Sequence, residues 1–239
     1  GIHQCYMFQE SLKQVSNEYV TDEMKKQYLA ESNFLIAYYH FLSMRSYGPT
    51  MIIRSVIDLE TPISGFPERS SIDEVVAFIN EKLDEAMSEG GLPTTWSGKD
   101  YGRATRLAAL ALKSRVYLYA ASPLYNGNTE MYADFRSPLD GRQLIAQEKS
   151  QAKWEISATQ TKYAIDEVEK AKFHLYHDAD AGEPRDAKPG LPNKAQRRLR
   201  YTNIDNQTGN NPEIIWADTR NDAYYGIQRR CPPRQTLGG

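Results

Sequence analysis

Residues 21–49, TDEMKKQYLAESNFLIAYYHFLSMRSYGP, form one uninterrupted run of helical periodicity. Met24, Tyr28, Leu29, Phe34, Leu35, Tyr38, Tyr39, Phe41 and Leu42 recur mostly at steps of three and four, and no Gly or Pro intervenes before Gly48-Pro49. The spacing predicts a helix from Thr21 to Tyr47. Thr21 has no Glu three residues on, so it is a plain N-cap rather than half of a capping box, while Asp22 and Glu23 favour the positive end of the helix dipole. At the other end Gly48 supplies a left-handed turn and Pro49 cannot continue the helix.

The neighbouring segments repeat the pattern. An earlier helix, about Ile2 to Tyr19, carries Cys5, Phe8, Leu12, Val15 and Tyr19 on one stripe, and the short polar joint after it predicts an antiparallel hairpin with 21–47. A Pro- and Gly-containing loop, Thr61-Pro62 through Phe66-Pro67, precedes a helix from Ser71 to about Glu89. There Ser71 and Glu74 have the spacing of a capping box, and Ile72, Val75, Val76, Ile79, Leu83 and Met87 make the apolar face. Arg103 to Ala121 is rich in Ala and Leu; alanines permit close helix approach, so this is the expected most buried helix, stopped by Ser122-Pro123. An irregular stretch holding Asn126-Gly127 and Asp140-Gly141 leads to a last long helix, about Ser150 to Phe173, bearing Trp154, Ile156, Ala158, Tyr163, Ile165 and Val168. Beyond it only short strand-like pieces remain, chiefly Glu213-Ile214-Ile215-Trp216-Ala217. The expected fold class is all-α (mainly α): irregular tetratricopeptide-like helical hairpins with long loops and few short strands.

The chain has 239 residues, with 29 Lys+Arg against 31 Asp+Glu. That length suits one domain or at most two. Counting Gly in place of Tyr leaves about 40% apolar material against the usual roughly 45–50%, so the core is lean: it leans on amphipathic residues such as Tyr or belongs to something larger. Near-neutral charge argues against nucleic acid as a partner, since phosphate neutralisation calls for surplus cations. No run of 18 apolar residues is present to span a bilayer, and Gly1-Ile2-His3-Gln4-Cys5 carries no export signal. Cys5 and Cys231 stand far apart with neither metal-site nor framework spacing; both are expected reduced and packed.

Several stretches go further than periodicity. Ala30-Glu31-Ser32-Asn33-Phe34-Leu35-Ile36-Ala37-Tyr38-Tyr39-His40-Phe41, followed by Tyr47-Gly48-Pro49, resembles the "E-A-x-F-L-R-A-Y-Y-Y-F…Y-G" helix of the SusD/RagB family. Gly102-Arg103-Ala104-Thr105, leading through the Ala-rich helix to Ala121-Ser122-Pro123-Leu124-Tyr125-Asn126-Gly127, is similar to a second landmark. Lys153-Trp154 before a helix ending at Leu175-Tyr176, and Asn211-Pro212-Glu213-Ile214-Ile215-Trp216, resemble later ones, in family order. The resemblance implies a surface lipoprotein on the outward face of the Bacteroidetes outer membrane. It would sit as a lid over a SusC-like TonB-dependent transporter and hand it oligosaccharide or, in some members, peptide, with no enzymatic activity and no cofactor. It also implies that residues 1–239 are one SusD-like α-helical domain from the middle of a family member, without the lipidated N-terminal segment and the C-terminal half. Cys5 is not the expected anchor, because Ile2-His3-Gln4 lacks the small residue that precedes a lipidated cysteine; membrane attachment would come only through an anchor outside this sequence.

Chemistry-bearing residues are few. The chain contains no P-loop, no G-x-S-x-G, no H-E-x-x-H and no G-x-G-x-x-G. His174 and His177 are three apart and could share a helix face as metal ligands, but no third ligand is evident nearby, and a surface role at a helix end accounts for them. The adjacent acids Asp84-Glu85 and Asp166-Glu167 point apart on helices, as solvated faces do, whereas glycosidase carboxylates face each other across a sugar. Arg185, Lys188, Lys194, Arg197, Arg198 and Arg200 form a basic stretch without interleaved stacking aromatics, which reads as a solvated loop or a rim contact. Sugar recognition needs flat aromatic faces beside hydrogen-bonding side chains. Asn221, Tyr224, Tyr225 and Arg229, in a loop outside the helices, have that composition and are the expected ligand-binding residues; the other account of the tyrosines is packing of the loop onto the helices. Trp96 and Tyr101 are a second choice. Trp154 and Trp216 are expected in the core, and Tyr38, Tyr39, Tyr117 and Tyr119 are expected to pack with their hydroxyls at an edge. A helical-repeat adaptor that binds only proteins, or a hydrolase with an unrecognised carboxylate pair, are the alternatives from other classes.

Overall fold

The computed structural model describes residues 1–58, 60–177, 180, 195, 198, 199, 202 and 211–219. Among the described residues five long helices build it, α1 (Ile2–Gln14), α2 (Asp22–Tyr47), α3 (Ile72–Ala86), α4 (Arg106–Ala121) and α6 (Gln151–Lys170), with the single-turn α5 (Thr129–Tyr132) before the last. Successive long helices pair antiparallel. Phe8 of α1 meets Tyr28 of α2, His40 of α2 meets Phe78 of α3, and Ser114 of α4 bonds Thr161 of α6. Helices two apart run parallel, as Glu31–Arg103 and Phe41–Tyr119 show by meeting in the same order. This alternation is that of a tetratricopeptide-like stack of hairpins, and the mainly α class holds. No helix among the described residues is long and apolar enough to cross a membrane.

Local sequence sets the helix starts. Thr21 Oγ1 accepts the Met24 N–H at 3.3 Å. Ser71 and Glu74 close a reciprocal box, Glu74 N–H to Ser71 Oγ at 3.3 Å and Ser71 N–H to Glu74 Oε2 at 2.7 Å. The Ser71 backbone N–H above all, and the Ser71 hydroxyl after it, hold the Glu74 carboxyl below the ordinary carboxylate range. The Ala-rich helix starts three residues later than its composition predicts, because Thr105 stays extended and its hydroxyl accepts the Ala108 N–H at 3.0 Å.

Three expectations need correcting. The first helix ends at Gln14, not near Tyr19: Val15 is extended, and the Lys25 ammonium bonds both the Val15 carbonyl and Asn17 Oδ1 at 2.6 Å, which holds the joint open. Cys5, Tyr6 and Leu12 face inward, while Phe8 and Tyr19 are exposed. Burial is not greatest on α4 alone, since α3 buries eight of fifteen residues and α4 eight of sixteen, both lying between neighbours. Glu213–Ala217 is turn and bend rather than strand. Its polar groups are satisfied locally: the Glu213 N–H by Asn211 Oδ1 at 3.0 Å, the Glu213 carboxylate by the Tyr176 N–H at 2.7 Å. Among the described residues only isolated bridges occur, Met51 with Arg69, Asn126 with Ala146 and Arg136 with Gln143.

The main core lies where α2, α3 and α4 meet, with Phe34, Phe41, Met44, Val75, Ile79, Leu83, Leu112 and Val116 buried together. Each such side chain contributes about 1.5–3 kcal/mol by burial. Among the described residues helix α6 packs mainly on α4, with Lys153 reaching Asp73 of α3, so Ser157 and Ala164 at the seam are buried while Ile156, Tyr163 and Ile165 remain about half exposed. Cys5 is a buried free thiol, pushed up by burial; Cys231 lies outside the described residues.

Candidate functional site

Asn221, Tyr224, Tyr225 and Arg229 lie outside the described residues, as do the basic residues Arg185, Lys188, Lys194, Arg197 and Arg200; of that basic stretch's cations Arg198 is described. The second choice, Trp96 and Tyr101, is described, and it belongs to an aromatic wall that sequence spacing does not reveal.

The wall forms where the loop 94–105 meets residues 215–217 against the flank of α2. Trp96 donates its indole N–H to the Ala104 carbonyl at 2.8 Å, and Trp216 donates to the Gly102 carbonyl, also at 2.8 Å. Both indoles thus take their orientation from the three-residue run 102–104. Trp216 stands edge-on to Phe34 at 5.1 Å and to Tyr38 at 5.5 Å, with interplanar angles of 89°. Tyr39 continues the cluster 6.1 Å from Tyr38. Trp216 is 38% exposed, so the expectation that it sits in the core is half right: its edge-to-face contacts are internal and part of its ring faces solvent. Trp154, expected in the core, is only half-buried on α6 and joins none of the buried clusters, whereas Tyr38, Tyr39, Tyr117 and Tyr119 are half-buried on their helices, as predicted.

Arg103 holds this wall together. Its guanidinium lies 4.1 Å from the Trp96 ring centroid and 5.6 Å from that of Tyr28. The Glu31 carboxylate accepts bonds from both Nε and Nη2, and Asp100 Oδ1 accepts from Nη1 at 2.9 Å. The Glu31 bonds keep the guanidinium more firmly protonated than a free one. A planar fork suits a carboxylate and a ring face together, which a lysine ammonium does not. Arg103→Lys is therefore expected to cost about 2 kcal/mol and to lower Tm by roughly 4–8 °C, while Asp100→Asn at the rim costs under about 1 kcal/mol. Thermal unfolding of both variants checks this; equal losses would mean the fork and the stack contribute nothing. Because one face of Trp96 is occupied by Arg103, the exposed portion of Trp216 and the flank of Tyr38 are the better-placed flat surfaces for a ligand.

A second concavity, about 480 Å³, runs between α4 and α6 and is closed by residues 173–175 and 212–215. Its lining is largely apolar, with Ala164, Ile165 and Val168 from α6, and the Ser114 and Thr161 hydroxyls bond each other within it at 2.7 Å. At its mouth the His174 and His177 rings stack at 5.6 Å, and Asp180 ties them: His174 Nε2 lies 3.2 Å from Oδ1 and the His177 N–H donates to Oδ2 at 2.6 Å. Among the described residues no group of three or more His, Cys, Asp or Glu is arranged to hold a metal ion. The adjacent acids each have their own lysine: Asp84 with Lys113, Glu85 with Lys82, Asp166 with Lys162 and Glu167 with Lys170. They form solvated ion pairs on helix faces.

Sequence reading missed the Arg103 hub and the exposed part of Trp216. The Asp100-x-x-Arg103 spacing was a usable sign of the local pair, but nothing in the sequence linked Arg103 to Glu31, 72 residues away.

A family model, SusD-like and described as starch-binding associating with the outer membrane, matches residues 2–118. Among solved structures, the chain is similar to BT4246, with 32% identity and a TM-score of 0.79 over 92% of this chain and 39% of that one. It is similar to selenomethionine BT4246 at 31% identity and a TM-score of 0.76, over 92% of this chain and 38% of that one. A SusD-like protein from Bacteroides fragilis is 32% identical over 50% of this chain and 22% of that one, with a TM-score of 0.45. The chain thus spans well under half the length of the structures it matches. No curated protein matches it.

Proposed function

The chain belongs to the SusD/RagB family, and from that premise we propose that it is part of a surface glycan-binding component of an outer-membrane nutrient uptake complex. Its work is to capture oligosaccharide and deliver it to a SusC-like TonB-dependent transporter, on the outward-facing side of the membrane. The observation that carries this is the match of residues 2–118, which contain α1, α2, α3 and nearly all of α4, to a starch-binding family. Binding rather than bond-breaking fits the side chains on display: an aromatic wall, and acids engaged with lysines. Affinity would come from flat apolar faces of sugar rings on aromatic rings, with hydroxyls satisfied by amide, carboxylate and guanidinium groups. We assign the direct contacts to Asn221, Tyr224, Tyr225 and Arg229.

Isothermal titration with a panel of oligosaccharides and peptides is expected to give saturable heats with an oligosaccharide class and none with the peptides. The Tyr224→Ala, Tyr225→Ala variant is expected to bind that oligosaccharide about tenfold or more weakly, a loss of roughly 1.4 kcal/mol or more. Saturation by peptides alone would make the protein a peptide-binding member of the family. Unchanged oligosaccharide affinity in the double variant would move the site elsewhere.

A further inference from the structure

Of the four histidines, His40 on α2 is the one that is buried, with 0% of its surface exposed. Its Nδ1 lies 2.7 Å from the Ile36 carbonyl, which only accepts, so Nδ1 carries a proton. Its Nε2 lies 3.2 Å from the Ile53 amide nitrogen, which only donates, so Nε2 must accept. Only the neutral imidazole protonated at Nδ1 satisfies both. The Ile53 carbonyl is held in turn by the Tyr6 hydroxyl of α1 at 2.8 Å. Both backbone polar groups of Ile53 are therefore satisfied by side chains of two helices. Among the described residues, 53–57 make no backbone–backbone hydrogen bond of their own, and Ile52, Ile53 and Val56 lie half-buried on Cys5, Tyr6, Ile36 and Phe78.

We propose that His40 is an acid-sensitive clasp: when its Nε2 takes up a proton, the Ile53 amide loses its acceptor, and residues 52–57, in the connection from α2 to α3, come away from α1 and α2. The surroundings oppose a charged ring. The His40 and Phe78 rings meet at 4.8 Å with an interplanar angle of 69°, and over the Phe78 ring lie two cations, Arg54 at 4.7 Å and Lys82 at 5.9 Å. Their carboxylates, Glu81 for Arg54 and Glu85 for Lys82, are already paired. From α1 the facing groups are the Cys5 thiol and the Tyr6 phenol, the latter pushed up to about 12 by burial; neither supplies a negative charge near neutrality. Burial first, and Arg54 as a further contribution, hold the His40 imidazole below its ordinary range despite the Ile36 bond. With the value lowered in the closed form, the clasp is at full strength above about pH 6.5 and weakens as the pH falls from there towards the lowered value. Across that window only the released form binds the proton, so opening becomes about tenfold easier per pH unit.

Amide hydrogen exchange of the whole chain, followed by NMR from pH 7.5 to 5 and corrected for intrinsic rates, tests this. The Ile53 amide is expected to lose about tenfold protection per pH unit below about 6.5, while the Ile79 amide in α3 keeps its protection. Flat protection at Ile53, or an equal loss at Ile79, overturns the clasp. In His40→Gln, whose amide oxygen accepts from Ile53 without titrating, the pH slope is expected to vanish; a slope that persists assigns it to other groups and overturns the proposal. Should that variant fail to fold, the imidazole nitrogen shifts of the unmodified protein decide. A midpoint below the ordinary histidine range is expected, with the neutral ring protonated at Nδ1, and an ordinary midpoint with Ile53 still protected excludes the clasp.

Discussion

Phe41→Ala is expected to lower the stability of the protein by about 3–5 kcal/mol and its Tm by roughly 6–20 °C. Phe41 is 1% exposed and sits in the cluster shared by α2, α3 and α4. Its ring meets Tyr119 of α4 edge-on at 5.3 Å. It therefore ties together helices two apart in the stack, and truncation removes both its transfer free energy and the contacts of the cavity wall. Helices on either side are held by their own packing, so the cavity cannot collapse without shifting α2 against α4. Phe41→Leu, which keeps most of the volume, is expected to cost under about 1.5 kcal/mol. Chemical denaturation of both variants separates the two: a loss below about 1 kcal/mol for the alanine variant would show that the α2–α4 seam carries little of the stability.

Gly127→Ala is the backbone counterpart, with an expected cost of about 2–4 kcal/mol. Gly127 has φ +80°, a region that charges an L-residue about 1–2 kcal/mol. A Cβ there would also stand 2.6 Å from the Lys149 nitrogen and 2.8 Å from its Cα, backbone atoms that cannot swing away. The displaced strand of chain is the one that starts α6. Gly127 N–H donates to the Ala146 carbonyl at 3.1 Å, and the Asn126 amide clamps Ser150, donating to its carbonyl at 2.9 Å and accepting its N–H at 2.8 Å. Asn126 is only 4% exposed, so bonds lost there are not replaced by water. Gly141→Ala is the matched control: φ is +73°, yet nothing stands within 4 Å of the added carbon, so only the conformational cost of about 1–2 kcal/mol applies. Equal losses in the two variants would mean that the close approach at Lys149 is relieved without cost.

These effects divide along the same line as the reading of the sequence. The α2 helix, with its Thr21 cap and its stop at Gly48, and α3, with its Ser71–Glu74 box, were legible because their signals lie within a few residues of one another. The end of the first helix was misread because the Lys25 ammonium reaches back to Val15 across the joint, a contact no periodicity reports. The strand expected at 213–217 failed for a related reason: an apolar run becomes a strand only where another strand offers a ladder, and here Asn211, Tyr176 and Gly102 take up the bonds instead. Of the candidate site, the tendency of aromatic residues in loops to face a ligand was visible at Trp96 and Tyr101. The part played by Trp216 was not, because its exposure depends on how its ring sits against Phe34 and Tyr38 of α2, far away in sequence.

By itself the order of residues determined the helical class, the caps, the hairpin repeat and the kinship, since all four are written in spacings shorter than two helical turns or in contiguous motifs. The tertiary structure alone decided that Arg103 meets Glu31 and that His40 holds Ile53 against Tyr6. It also decided that α6 leaves Ile165 half exposed. Such pairings follow from which helix faces come to lie side by side, and that is settled by the summed burial of the whole stack rather than by any one segment's preference.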